Sequence, residues 1–230
     1  MSREAAFVLA CKENYVDRMK DLLAQGVNVD ARGKEGRTGL MEACRYHHLY
    51  VVEVLIEKGA NVSLKDDRGK QALSEASVAG DYRIAEFLLE QGADANARDQ
   101  AGRTPLMEAA RKGRDFVVDL LIRHGAEVNA QDGDGVTALM EAAGQGHQYV
   151  LDRLLESGAQ VDALTANNET ALWLAVEHIF SDHNWIIESL LEKGANVNVR
   201  DSRAGRTPLD LILILVDTLR GWNAKLSSEL

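Results

Sequence analysis

An all-α solenoid of stacked antiparallel helix pairs with β-hairpin fingers is the architecture that this 230-residue sequence predicts, and three observations predict it. The stretch GRTPLMEAARKG, Gly102 to Gly113, returns in altered form as GRTGLMEACRYH from Gly36, GKQALSEASVAG from Gly69, GVTALMEAAGQG from Gly135, NETALWLAVEH from Asn168 and GRTPLDLILIL from Gly205. Two series of landmarks keep one step: Gly36, Gly69, Gly102, Gly135 and Asn168 are 33 residues apart, and so are Gly26, Gly59, Gly92, Gly125 and Gly158. Each copy holds two short helical patterns that cannot bury an apolar face alone, so the units must stack to close a core.

Within a unit each element has a local cause. In Thr104-Pro105-Leu106 the threonine hydroxyl caps a helix, and proline at its first position loses an N–H that would be unpaired anyway. Both prolines of the chain, Pro105 and Pro208, stand there. The first helix runs to about Lys112. Gly113 turns the chain into a second helix, Phe116 to His124, whose Val117, Leu120 and Leu121 recur at helical spacing. Gly125, repeated as Gly26, Gly59, Gly92, Gly158 and Gly194, fits the left-handed position after a helix. The polar, extended Ala126 to Asp132 then leads to a turn on Gly135, as a projecting hairpin would. Asn168, the one substitute for the turn glycine in that series, tolerates the same conformation.

The units so delimited are 1–35, 36–68, 69–101, 102–134, 135–167, 168–204 and a cap at 205–230, together one domain. The first unit has both helices, since Leu22 to Gly26 falls on Leu55 to Gly59 after one step. Regularity breaks once. From Thr170 to Thr207 is 37 residues, with three extra around Ile179 to Asn184 and one before Gly205, either a specific contact or a tolerated insertion. In the cap, Leu211 to Val216 is apolar all round, whereas an end unit needs a polar outer face. Trp222, Leu226 and Leu230 recur every four residues and would let the tail cover it; burial in a second subunit is the alternative. A monomer is therefore expected, with a homodimer through the cap as the other outcome.

These units resemble ankyrin repeats. GRTPLMEAARKG stands for that family's G-x-T-P-L-H-x-A-A, and GAEVNAQD, from Gly125, for its G-A-D-V-N-A-x-D, over nearly the whole chain. The resemblance implies a curved stack whose concave face, made of fingers and first helices, binds another protein. The family's usual histidine is replaced by Met41, Ser74, Met107, Met140, Trp173 and Asp210, so the hydrogen bonds of such a histidine are not implied.

A net charge of -10 argues against nucleic acid or an anionic membrane as partner, because either would be approached against a repulsive field. The apolar run Ala5 to Cys11 has no cleavage site after it, and no stretch approaches the roughly 20 residues of a membrane span, so a cytoplasmic protein is expected. Cys11 and Cys44 share one register in neighbouring units, about 8–10 Å apart, too far for a disulfide. His48 and His147 lie three steps apart, at the turn between helices, and His124 precedes a helix-ending glycine. Only Glu177, His178, Asp182 and His183 cluster, and a spacing of five lacks the i, i+4 geometry of metal ligation. No phosphate loop, dinucleotide fingerprint or nucleophile elbow occurs, so no catalytic residue, cofactor or metal is assigned. A dispersed active site near Glu177, His178 and His183 is the alternative from another class.

Function is sought instead where residues change against the fixed frame. The finger tips carry Lys34, Gln100 and Asp134; the position after the turn glycine carries Arg37, Lys70 and Arg103; the end of the first helix carries Arg45, Tyr46, Arg111, Lys112, Gln145 and His178. Tyr46 and Trp173 are of the type favoured as interface anchors, though Trp173 shares its register with three core methionines. Glu42, Glu75, Glu108 and Glu141 form an acidic ladder in four successive first helices, with Arg45 and Arg111 three residues on as partial compensation. Glu108 and Glu141 join the candidate contact residues. From Gln131 to Glu192 eleven acidic residues face Arg153 alone, an excess equal to the whole net charge. The expected partner is a protein of mixed charge, with basic groups opposite units five and six and acidic groups opposite units two to four.

Overall fold

The computed structural model describes residues 2–177 and 184–213. Among them twelve helices run as six pairs: α1 (Arg3–Lys12) with α2 (Val16–Ala24), α3 (Gly39–Arg45) with α4 (Leu49–Glu57), α5 (Ala72–Ala79) with α6 (Tyr82–Glu90), α7 (Pro105–Arg111) with α8 (Asp115–Arg123), α9 (Ala138–Gln145) with α10 (Gln148–Glu156), and α11 (Ala171–Glu177) with α12 (Asn184–Glu192). A helical segment at 208–213 follows. First helices pack on first helices from α1 to α11, and second helices on second helices from α4 to α12. One apolar cluster runs unbroken from Phe7 to Ala195. None of the helices among the described residues is long and apolar enough to cross a membrane.

The caps explain the methionines. Thr38, Thr104 and Thr137 each accept the N–H of the residue three on, Met41, Met107 and Met140, at 3.3 Å. Each methionine Sδ in turn accepts the threonine N–H at 3.4, 3.5 and 3.4 Å. Sulfur is a weak acceptor, but it closes the cap reciprocally while the rest of the side chain fills the core. Asp210 does the same for Thr207 with oxygen, at 2.8 Å.

The fingers are tighter than hairpins. Among the described residues there is no strand, and the single β-bridge joins Arg32 and Thr38. Four of the fingers are turns closed by the same two backbone bonds, as where Gly69 N–H donates to Asp66 C=O and Asp66 N–H to Lys70 C=O, both at 2.9 Å. The Asp66 carboxylate takes the N–H groups of Arg68 and Lys70, competing with any strand ladder. Successive turns are bonded to one another: Asp67 N–H to Glu35 C=O, Gln100 to Arg68, Gly133 to Ala101 and Ala166 to Asp134, at 2.8–3.0 Å. Gly69 has φ +79°, and a Cβ there would lie 2.8 Å from the Gln100 nitrogen, so both conformation and stacking require glycine. Asn168 takes its glycine's place at φ 58°.

Units are also tied at the opposite end of the helix pairs. His48 Nε2 lies 2.8 Å from Lys12 C=O, Arg114 Nε donates to Val78 C=O at 3.2 Å, and His147 Nε2 lies 3.1 Å from Arg111 C=O. One register thus satisfies the open carbonyls at the end of the preceding first helix.

Candidate partner-binding face

The turn glycine delivers the next residue toward the first helices, and there it meets the acidic ladder. Arg37 donates from Nε to Glu42 at 2.6 Å and from Nη1 to Glu75 at 2.9 Å, with Asp66 at 3.4 Å. Lys70 reaches Glu108 at 2.9 Å. Arg103 joins Glu108 at 3.3 Å, Asp132 at 3.3 Å and Glu141 at 2.6 Å. Arg111 adds a contact to Glu108 at 3.0 Å. Both arginines therefore bind the glutamate of their own unit and that of the next. Burial pushes the Glu108 carboxyl up, yet the Lys70 hydrogen bond and the Lys70 and Arg103 charges outweigh it and hold the group at about 2. Nη2 of Arg37 and of Arg103 is buried without a hydrogen-bond partner, so the network's net worth is below the sum of its contacts.

At the amino-terminal end this charged floor opens into a groove of about 400 Å³, lined by Val8, Leu9, Lys12, Lys34, Arg45 and Tyr46 among others. Tyr46 is 40% exposed, with the Lys12 ammonium 5.4 Å and the Arg45 guanidinium 5.9 Å from its ring centre. Lys34 and Arg45 are exposed, with no ion pair among the described residues. A second groove, of about 480 Å³, lies between fingers and carries Arg68, Lys70, Gln100, Arg103 and Arg111.

A family model described as ankyrin repeats, three copies, matches residues 7–99 and again 106–201. The chain belongs to the ankyrin-repeat family. A comparison with curated proteins finds no significant match. Ankyrin repeats generally serve protein–protein interaction, and they are typically non-catalytic.

On the ankyrin frame the expected contact residues divide. Lys34, Arg45, Tyr46, Gln100, Lys112, Asp134 and Gln145 are exposed, and Lys70, Arg103, Arg111 and Glu141 are partly so. Burial corrects three expectations. Arg37 is 6% exposed and Glu108 3%, because their charges are held between units, and Trp173 packs in the core at the register of the methionines. The compensation expected from Arg45 is corrected too: Arg37 takes Glu42, and Arg45 turns to Tyr46. Cations and ladder are both legible in the sequence, whereas their pairing across units is a feature of the fold. Its signal was a cation five residues before one glutamate and 38 before the next.

In units five and six the acidic residues fall in two groups. Glu141 pairs with Arg103, and the buried Glu169 lies 3.4 Å from Arg203, so much of the concave charge is satisfied. Exposed carboxylates stand instead at Glu156, Glu188 and Glu192 on the second helices. Glu177 is exposed at the end of α11, while His178, Asp182, His183 and the tail with Trp222, Leu226 and Leu230 lie outside the described residues. Cys11 and Cys44 are buried free thiols, and burial pushes the Cys11 thiol up to about 12, which leaves it unreactive. Among the described residues no group of three or more histidine, cysteine or acidic side chains is placed to hold a metal.

Proposed function

We propose that the chain is a non-catalytic binding module, an adaptor, scaffold or inhibitor, whose concave face engages a partner protein chiefly at the amino-terminal groove. The observation that carries this reading is the half-exposed Tyr46 ring flanked by Lys12 and Arg45, in one groove with Val8, Leu9 and Lys34. An aromatic anchor in a part-apolar groove with a cationic rim accepts an apolar side chain flanked by carboxylates. The partner is thus acidic where it meets Lys12, Lys34 and Arg45 in units one and two. Two buried free thiols in neighbouring units fit a reducing, cytoplasmic setting, which belongs to the same proposal.

The test is quantitative affinity capture with mass spectrometry, comparing the intact chain with a Lys34→Ala, Arg45→Ala, Tyr46→Ala variant and with a Lys112→Ala, Gln145→Ala variant. A partner lost only with the first variant supports the groove, and its affinity should fall as salt rises. Equal capture by all three chains removes the groove from the reading. Leu209 and Leu213, exposed on the segment at 208–213, favour self-association through the cap as a second reading. Light scattering that shows a concentration-dependent dimer would establish it.

A further inference from the structure

The second helices carry a pattern that the concave face does not use. The second residue of α4, α6, α8, α10 and α12 is Tyr50, Arg83, Phe116, Tyr149 and Trp185. Phe116 is 70% exposed, Tyr149 83% and Trp185 69%. A single exposed ring needs no explanation, but three at one register in three successive helices form a row.

The first ring of the series shows what this register can hold. Lys20 of the preceding unit places its ammonium 5.1 Å from the Tyr50 ring centre and donates to Tyr50 Oη at 2.9 Å. Thirty residues before Phe116 and Tyr149, where Lys20 stands relative to Tyr50, the chain has Glu86 and Asp119. Allowing for the three inserted residues, Asp152 holds that place before Trp185. The cation that unit one supplies to Tyr50 is thus replaced three times by a carboxylate, and no cation lies over these rings among the described residues. The carboxylates keep local contacts: Glu86 accepts the Tyr82 hydroxyl at 2.7 Å, Asp119 pairs with Arg153, and Asp152 accepts Gln148 Nε2 at 2.8 and 2.9 Å. Asp115, Glu156, Glu188 and Glu192 are exposed on the same helices, and Arg83 bounds the row on the amino-terminal side.

We propose that this row is a second contact surface, on the side away from the first helices, that takes an arginine- and lysine-rich segment of a partner protein. Its cations lie against the Phe116, Tyr149 and Trp185 rings and face the carboxylates of the preceding unit, in the place where the Lys20 ammonium sits beside the Tyr50 hydroxyl. Cation and ring attract through the ring's quadrupole, and the acidic surround adds long-range steering. Packed helices stand about 8–10 Å apart, and every third residue of a polyproline-II segment lies on one face and repeats at about 9 Å, so one cation per unit fits a basic segment in that conformation.

Fluorescence anisotropy of the full chain with a dye-labelled peptide, arginine at every third position and serine or glycine between, tests this. Comparators carry glutamate in place of arginine, or proline throughout. The arginine peptide should bind, and the F116A/Y149A/W185A variant, whose net charge is unchanged, should lose about tenfold or more in affinity. Undiminished binding to that variant would mean general attraction to an acidic protein and would overturn the proposal. So would tighter binding of the proline peptide, or no binding of the arginine peptide to the parent chain. If the triple variant melts early, the fully projecting Tyr149→Ala alone should weaken binding about threefold, and no change there counts against the proposal.

Discussion

Units two to four and units five to six share a backbone register but use its charges in opposite ways. In the first group Arg37, Lys70 and Arg103 follow the turn glycine and lock the glutamate ladder from Glu42 to Glu141. In the second group Val136 and Glu169 take the cation's place, and α11 has Leu174 where the ladder would continue. One half turns its charge inward to hold neighbouring units together. The other leaves its acid on the second helices, beside the exposed rings.

The strongest way to break this contrast is Arg37→Met. It leaves the buried Glu75 and Asp66 and the partly buried Glu42 without their shared cation, and urea unfolding should show a loss of about 3–5 kcal/mol. A loss below about 1 kcal/mol would mean that the ladder does not hold the units. Arg103→Met should cost less, about 1–3 kcal/mol, because that side chain is more open to water and Lys70 and Arg111 still serve Glu108.

Acid titration sharpens the same point. Glu108 is held at about 2 in the folded chain and titrates near 4.3 when unfolded, so its contribution is complete above that value and is lost as pH falls toward 2. Glu108→Gln should flatten the dependence of unfolding free energy on pH between about 4.5 and 2. A smaller effect is expected from Val136→Arg, which restores a cation five residues before Glu141 and should add about 0.5–1 kcal/mol. Smallest is Lys112→Ala, an exposed site whose change should stay within about 0.5 kcal/mol by the same unfolding measurement.

Much of the frame was legible because its causes are local. Thr104 before Pro105, Gly125 after a helix and Asn168 for a turn glycine each state their conformation in a few residues, and the structure places them so. The extended polar run of the finger predicts a hairpin, but the Asp66 carboxylate takes the N–H groups that a strand ladder would need. The candidate face was only partly legible. Arg37 and Lys34 lie three residues apart and look equally solvated in sequence, yet one bridges two units and the other faces water. The aromatic row hid because three inserted residues shift Trp185 out of step with Tyr149.

Amino-acid order alone determined the period, the helix ends and the need to stack, because caps, turn glycines and apolar spacing act within a unit or between identical registers. Which charges turn inward, how methionine sulfur closes a cap and which rings stay bare were decided only once neighbouring units packed. Those outcomes depend on side-chain direction and on partners more than thirty residues away, and burial, not sequence distance, sets the strength of a charge pair.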